Sequence, residues 1–395
     1  MPVSMLLRIV VLLLVGVVVR PSLAQPGMMG GMRQMFEPPV STKDLERYAA
    51  FLSLSPDQSE AATALLEGFQ LEHERLAKVM REASEAARDE ARETGDWSVM
   101  QDLRPKMEQF RDDTRKLEGA FMNDVKSLLS DEQAALWPRV ERMRRRDSTM
   151  RRGLISGESV DVIRLAEEQG VAGQAGAGLA PVLEQYEAEL DKALVVRNEI
   201  YEEAMRNGFD LWRQGNMEAV NEMFAKGREA ALAVRDINRR YARQVRGLLD
   251  EERGSAFDAA FRERSFPRVY RESYASRAAQ IAAGFEDLTA EQKQQLAESR
   301  EMYARDAGAI NQRWTAAIEE AEKTQTMMDM MSGGGSEAVR AARAQRRELD
   351  EKALERLKSI LTEEQLKRLP DQRGREEEDD QPERGFRRRR GGGDS

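Results

Sequence analysis

The segment 353–369 (ALERLKSILTEEQLKRL) constrains the fold more tightly than any other. Leu354, Leu357, Ile360 and Leu361 fall at helical spacing and form one apolar stripe. Thr362 then reads as the N-cap of a new helix. Its hydroxyl can accept from the backbone N–H of Gln365, and the Gln365 side chain can reach back to the N–H of Thr362, which is a capping box. Glu363 and Glu364 occupy the first turn, where the helix dipole favours negative charge. A helix, a tight corner and a second helix are therefore written into this short stretch.

The same corner recurs four more times. Leu54-Ser55-Pro56-Asp57-Gln58 has Ser55 as cap and Pro56 at the first helical position. Leu129-Ser130-Asp131-Glu132-Gln133 and Leu288-Thr289-Ala290-Glu291-Gln292 keep the full pattern. Leu249-Asp250-Glu251-Glu252-Arg253 keeps the cap but has Arg253 where the others have Gln. The corners come in pairs: Leu54 to Leu129 is 75 residues and Leu288 to Leu361 is 73. Counting 75 back from Leu249 reaches Gln174, close to Val171, in a Gly/Ala-rich stretch where the box has decayed. Flanking residues repeat as well. Eight residues after each closing Leu stands Trp137, Phe257 or Leu369, and four before it stands Val125, Val245 or Leu357. Fifteen residues after each opening position stands Phe69, Tyr186 or Tyr303. A spacing near 115 residues is too long for a solenoid repeat and reads as a domain-sized duplication.

Paired LTxxQ motifs flanking a long helical hairpin resemble the Spy/CpxP-like periplasmic stress proteins. Residues 354–369 and 121–145 carry the resemblance best, and it extends over three tandem units, roughly 41–150, 158–270 and 272–371. The resemblance implies an all-α fold, often a cradle-shaped dimer. Some members bind unfolded clients without ATP; others modulate envelope stress or metal signalling. Three tandem units depart from the family's usual single one.

The expected organisation is a secretory signal over residues 1–24, a flexible Met/Gly-rich leader over 25–40, and three helical-hairpin units at 41–157, 158–271 and 272–370. A disordered charged tail is expected over 371–395. Arg8, the apolar run Ile9–Val19 and Ser22-Leu23-Ala24 before Gln25 have the pattern of a cleaved export signal. The run is too short to span a bilayer, which needs ~20 residues. Periplasmic localisation follows as the expectation. The chain has no Cys, so it has no disulfides and no thiolate metal site. Removing Arg8 and Arg20 with the signal takes the net charge from −9 to −11, which argues against nucleic acid as a partner. With 34% charged and 6% aromatic residues, the composition suits long solvated helices.

Within the units, long helices are expected from Pro56 to about Thr94 and from Trp97 to Leu129, from Leu179 to about Arg206 and from Met217 to Leu249, and from Ala290 to about Met327 and from Glu337 to Leu361. Gly95-Asp96, Gly215-Asn216 and Gly333–Gly335 are the expected turns. Leu65, Phe69, Leu76, Val79 and Met80 mark the expected apolar stripe of the first outgoing helix. Tyr241, Val245, Leu248 and Leu249 mark that of the second returning one.

Candidate chemistry is sparse. Met28, Met29, Met32 and Met35 in the leader, and Met327, Met328, Met330 and Met331 at the third hairpin's tip, carry soft thioethers that can hold Cu(I). The alternative is a linker and an adaptable apolar contact. The single His73, in Leu71-Glu72-His73-Glu74, reads as part of a charged helix face. No nucleophile–base arrangement or phosphate loop stands out, so neither an enzyme nor a bound cofactor is expected. The basic run Arg142–Arg146 and the tail's Glu376–Asp380 and Arg387–Arg390 blocks read as solvated surface or as electrostatic arms. Three functions stay open: an ATP-independent chaperone or envelope-stress scaffold for unfolded or envelope proteins, self-associating or not; a copper-responsive protein using the Met clusters; or a structural envelope spacer.

Overall fold

The computed structural model describes residues 36–150, 153–171, 178–324, 326, 329 and 336–370. Every regular element among them is helical, and no strand occurs. The expected signal, the leader up to Met35, Gln174, the second Met cluster and the tail lie outside the described residues. None of the helices is long and apolar enough to cross a membrane. The chain divides into two compact units, with the boundary between Ser148 and Thr149.

The first unit opens with α1 (Thr42–Leu52), capped by Ser41 in a capping box with Asp44. A left-handed Ser53 ends it. α2 (Pro56–Thr94) runs 39 residues, or about 58 Å. A left-handed Gly95 closes α2. A 3₁₀ turn (Trp97–Asp102) replaces the expected start of the returning helix, and α3 (Leu103–Ser127) comes back along α2. α4 (Asp131–Thr149) closes the unit. Its Pro138 lies inside the helix and removes one backbone donor.

The buried face of α2 differs from the expected stripe. It reads Ala62, Leu66, Phe69, His73, Ala77, Met80, Ser84 and Ala91, while Val79 is 67% exposed. The small residues explain the shift: Ala and Ser let α3 approach closely, so side-chain size alone mislocates the seam. His73 belongs to that seam. It is 1% exposed and lies between the Phe69 and Phe110 rings, with centroids at 6.3 and 5.9 Å. The charged-face assignment fails because Glu72 and Glu74 point away on either side of a heptad position. The core has two parts. One gathers Leu45, Tyr48, Leu52, Leu66, Phe69, Phe121, Val125 and Trp137 at the corner end. The other gathers Phe36, Ala77, Met80, Met100 and Leu103 toward the tip.

The second unit holds two further hairpins. A short α5 (Val162–Glu168), capped by Asp161, precedes α6 (Leu179–Arg213). α6 continues past the expected Arg206, and the chain turns at the left-handed Gly215. Asn216 caps α7 (Met217–Gly247). α8 (Glu251–Ser265) and the single turn α9 (Pro267–Tyr270) lead to a short α10 (Tyr274–Ala283). α11 (Ala290–Thr324) goes out, α12 (Glu337–Ile360) returns, and α13 (Glu363–Leu366) follows the corner.

Residues at matching places have matching burial. Val125, Val245 and Leu357 are all buried, as are Trp137 and Phe257, with Leu369 packed beside the third corner's core. Leu248, expected to face inward, is 43% exposed: it caps α7 at its final turn, and Val245 and Leu249 take the core positions. Leu361 is 6% exposed and packs with Leu288, Leu296, Leu357 and Ile360. Leu361→Ala should therefore lower stability by ~2–5 kcal/mol. Urea denaturation checks this, and a loss below ~0.5 kcal/mol would place the side chain outside the core.

Candidate functional site

Four of the five corners form two tight pairs. At the first, the Gln58 and Gln133 side-chain amides meet face to face. Gln58 Nε2 donates to Gln133 Oε1 at 2.8 Å, and Gln133 Nε2 donates back to Gln58 Oε1 at 3.1 Å. Each oxygen also accepts its own cap's backbone N–H, Ser55 N and Ser130 N, both at 2.9 Å. Each amino group reaches the carbonyls that end the opposite helix. Gln58 donates to Leu128 O at 2.7 Å, and Gln133 to Leu52 O and Ser53 O at 3.3 Å. The cap hydroxyls Ser55 and Ser130 accept from the Gln58 and Gln133 backbone N–H. Leu54 and Leu129 pack half-buried on the core beneath.

The Gln292–Gln365 pair repeats the arrangement with a single amide–amide bond, from Gln292 to Gln365. Gln292 Nε2 donates to Gln365 Oε1 at 3.0 Å and to Ile360 O at 2.8 Å. Thr289 N and Thr362 N donate to the two amide oxygens, each at 3.0 Å. Gln365 Nε2 reaches Asp287 O at 3.4 Å. A capping box alone accepts Glu or Gln. The pair needs Gln, because only an amide both accepts from its own cap and donates to the partner's helix end.

The middle hairpin lacks this clasp. Asp250 caps α8 by accepting from Arg253 N at 2.9 Å, and Arg253 Nε folds back onto Asp250 Oδ2 at 2.5 Å. Leu249 packs beside the core. A buried polar network holds this hairpin instead, and no sequence motif announced it. Arg197 and Glu158 are both fully buried, with Arg197 Nη1 donating to Glu158 Oε1 at 2.8 Å. Tyr201 Oη donates to the same oxygen at 3.1 Å. Leu154 N and Ile155 N donate to Glu158 Oε2 at 2.6 and 3.2 Å. Arg197 Nη2 also donates to Thr149 O at 2.9 Å. Asn238 Nδ2 donates to Gly157 O and Glu158 O, both at 3.0 Å, and Asn238 Oδ1 accepts from Tyr186 Oη at 3.0 Å. Tyr186 Oη in turn accepts from Val162 N, the first residue of α5. Gly157 has φ +79°, and a Cβ there would stand 3.3 Å from Arg235 Cγ, so a side chain at this position would be strained.

Tyr303 stands where Tyr186 does in the preceding copy and likewise holds the short helix before its own. Its hydroxyl pairs with Ser273, the cap of α10, at 2.6 Å, and donates to Asp350 at 2.5 Å. Arg346 closes that cluster through Tyr303 Oη at 2.9 Å and Asn311 Oδ1 at 2.6 Å.

The third hairpin is docked on the second by charge. Glu322 Oε1 accepts from Ser156 N at 2.8 Å, and Glu322 Oε2 lies 3.6 Å from Arg235 Nη1. Glu319 pairs with Arg239. Glu322 is 9% exposed, and burial pushes its carboxyl above the ordinary range, against the opposing pull of Ser156, Arg235 and Arg239.

No protein-family model matches the chain, and no curated protein or solved structure matches it.

Two outcomes follow. Gln133→Glu keeps the capping box but turns two oxygens toward Leu52 O, Ser53 O and Gln58 Oε1. It should cost about 1–3 kcal/mol at pH 7, regained in part as the new carboxyl protonates in acid; equal melting at both pH values would refute the clasp. For Glu322, the folded state binds its proton more tightly than the unfolded chain. Its contribution is therefore full below the unfolded value of 4.5 and is lost as pH rises through the folded value. Glu322→Gln should melt no lower than wild type at pH 7 and flatten the pH dependence of melting above pH 4.5. A lower melting temperature with an unchanged slope would show that the charge is a net stabiliser.

Proposed function

We propose that this chain is an exported, non-enzymatic interaction protein, acting as an ATP-independent periplasmic chaperone or an envelope-stress scaffold. The observation that carries the reading is apolar surface facing solvent on the outgoing helices. Leu71 and Val79 on α2 are 57% and 67% exposed, and Val196 and Met205 on α6 are 54% and 51% exposed. Val79 and Val196 are 117 residues apart, the same interval that separates Phe69 from Tyr186, so they hold one place in two copies. Leu71 lies across α2 from the buried Phe69 and His73, and Val79 lies on the flank beside the buried Met80.

Such residues, spaced along a helix and separated by Arg75 and Lys78, suit a weak, sequence-tolerant grip on extended apolar segments. Hairpins held by the corner clasp or by the buried Arg197–Glu158 network keep that surface presented rather than collapsed. The LTxxQ corners and the signal-like start support the same assignment, as does the resemblance to Spy/CpxP-like proteins. A scaffold role uses the same surface for folded envelope proteins.

Light scattering of an aggregating unfolded client, without ATP, tests the reading. The wild type should suppress aggregation at near-stoichiometric ratios. The Leu71→Glu/Val79→Glu/Val196→Glu variant should lose most of that suppression while melting at the wild-type temperature. Equal suppression by both would remove this surface from the account, and no suppression by the wild type would leave the scaffold alone.

A further inference from the structure

The third corner is open where the first two are closed. Past the corner, α4 runs 19 residues and α8 runs 15, whereas α13 runs 4. Eleven residues after the first closing Leu stands Val140, and twelve after the second stands Phe261. They are 0% and 8% exposed. The corresponding places in the third copy are Gln372 and Arg373, both polar. The returning helix registers the difference. Seven residues before each closing Leu stand Met122, Ala242 and Leu354. Met122 and Ala242 are buried, and Leu354 is only half-buried.

A cleft of about 440 Å³ lies at this place, a size that takes a ligand or side chains rather than one water. Leu354 and Leu357 of α12 line it, with Leu366 and Leu369 from beyond the corner, and all four belong to the corner's apolar cluster. Tyr274 of α10 closes one side, its hydroxyl donating to Pro370 O at 2.7 Å. Two lysines, Lys358 and Lys367, also line the cleft, and no acidic residue does. Lys367 pairs with Glu364 at 3.0 Å across solvent-exposed surface. Lys358 has no acidic partner among the described residues. The place of Lys358 is basic in every copy: it is Lys126 in the first and Arg246 in the second. Arg246 pairs at 3.4 Å with Glu251, on the helix that closes its corner.

We propose that this cleft is a docking site for an acidic amphipathic helix of another protein, which supplies the apolar pair that the closing helix supplies in the first two copies. Those copies specify the occupant. Each presents two apolar residues one helical turn apart, Trp137 with Val140 and Phe257 with Phe261. A helix laid into an apolar groove is read by anchors at that spacing. The lysines then select Glu or Asp on the helix flanks. The chain's own tail does not meet this description. Residues 371–380 (DQRGREEEDD) carry no apolar side chain. Phe386 is the one large apolar residue beyond them, and it stands between Arg384 and Arg387–Arg390, whose charge the lysines repel. The site is independent of the chaperone reading, which uses α2 and α6.

The test uses the full-length protein and a fluorescent helical peptide of Ala, Leu and Glu, with leucines at i, i+3 and i+7. Fluorescence anisotropy should show saturable one-to-one binding to wild type. A peptide with Lys in place of every Glu should not bind. Lys358→Glu/Lys367→Glu changes two exposed side chains, so it should melt like wild type. It should bind the acidic peptide about tenfold more weakly and gain binding to the Lys peptide. Equal affinity of wild type and this variant for the acidic peptide would overturn the site. A second readout needs no variant. In wild type labelled at its leucine methyls, the acidic peptide should shift Leu354, Leu366 and Leu369 and leave Leu71 and Leu154 unmoved. Shifts of the first three with dodecanoate but not with the peptide would make the occupant an acyl chain and refute the helix. Shifts on concentrating the free protein would make it a second copy. Peptide binding that appears only on deletion of 371–395 would make it the tail.

Discussion

A glutamine amide that bridges its own helix cap and the opposite corner is the interaction on which the first and third hairpins depend. Long antiparallel helices leave unpaired N–H groups where one starts and unpaired carbonyls where its partner ends. At the Gln58–Gln133 corner those two sets lie side by side, and two amides satisfy both. Because the contacts join residues 75 apart, they fix the register of α2 against α3 at one end. The heptad seam then carries that register toward the tip. Leu54 and Leu129 seal the corner from below, which links the cap to the core.

The middle hairpin shows what happens without that clasp. Arg253 cannot reproduce an amide pair, and order comes from Arg197, Glu158, Asn238 and Tyr186 buried among the helices. Burying an ion pair has a large desolvation cost, repaid only when geometry and the remaining hydrogen bonds are nearly complete. Here they are: Glu158 takes backbone donors as well as Arg197 and Tyr201, and Arg197 reaches a backbone carbonyl. The network is specific rather than strong. It admits one path for the loop through Gly157, and that path sets Ser156 N against Glu322 of the third hairpin. The clasp was exchanged for a joint.

Much of the helical plan is legible from capping chemistry, because caps are local. Ser55, Pro56 and Gln58 set the start of α2, and Gly95 its end, within a residue of the sequence reading. What is not legible depends on residues far apart in the chain. Nothing in Gly157-Glu158 points to Arg197 or Asn238, since an ion pair across 39 residues leaves no periodic mark. His73 misleads for a different reason. Its neighbours in sequence are charged, but helix faces are decided by residues three and four away, and these include Phe69 and Ala77. Val79 and Leu248 mislead by size: large apolar side chains look like core, yet the seam is built from smaller residues that allow close approach. The Gln–Gln contact was half legible. The boxes are plain in the sequence, and their equal spacing implies pairing, but the second donor role of each amide emerges only when the corners meet.

The copies have diverged in a way that bears on function. The place held by the exposed Val79 and Val196 is held in the third copy by Arg313, a further 117 residues on, which donates to Gln345 on its own hairpin. The Phe69 place becomes Tyr186 and then Tyr303, gaining a hydroxyl that captures the preceding short helix. Apolar display at this place thus belongs to the first two copies, while the tyrosine hydroxyl that fastens a short helix belongs to the second and third. A chain that only needed length would have no reason to separate these properties. Under the reading proposed above, the division has a physical logic. Exposed apolar residues threaten collapse or aggregation unless the helices that bear them are held in register. In the first hairpin the glutamine clasp does this, and in the second the buried Arg197–Glu158 network does. The third hairpin, carrying charge where the others carry valine, serves by docking Glu319 and Glu322 onto α7, the helix that returns along the valine-bearing α6.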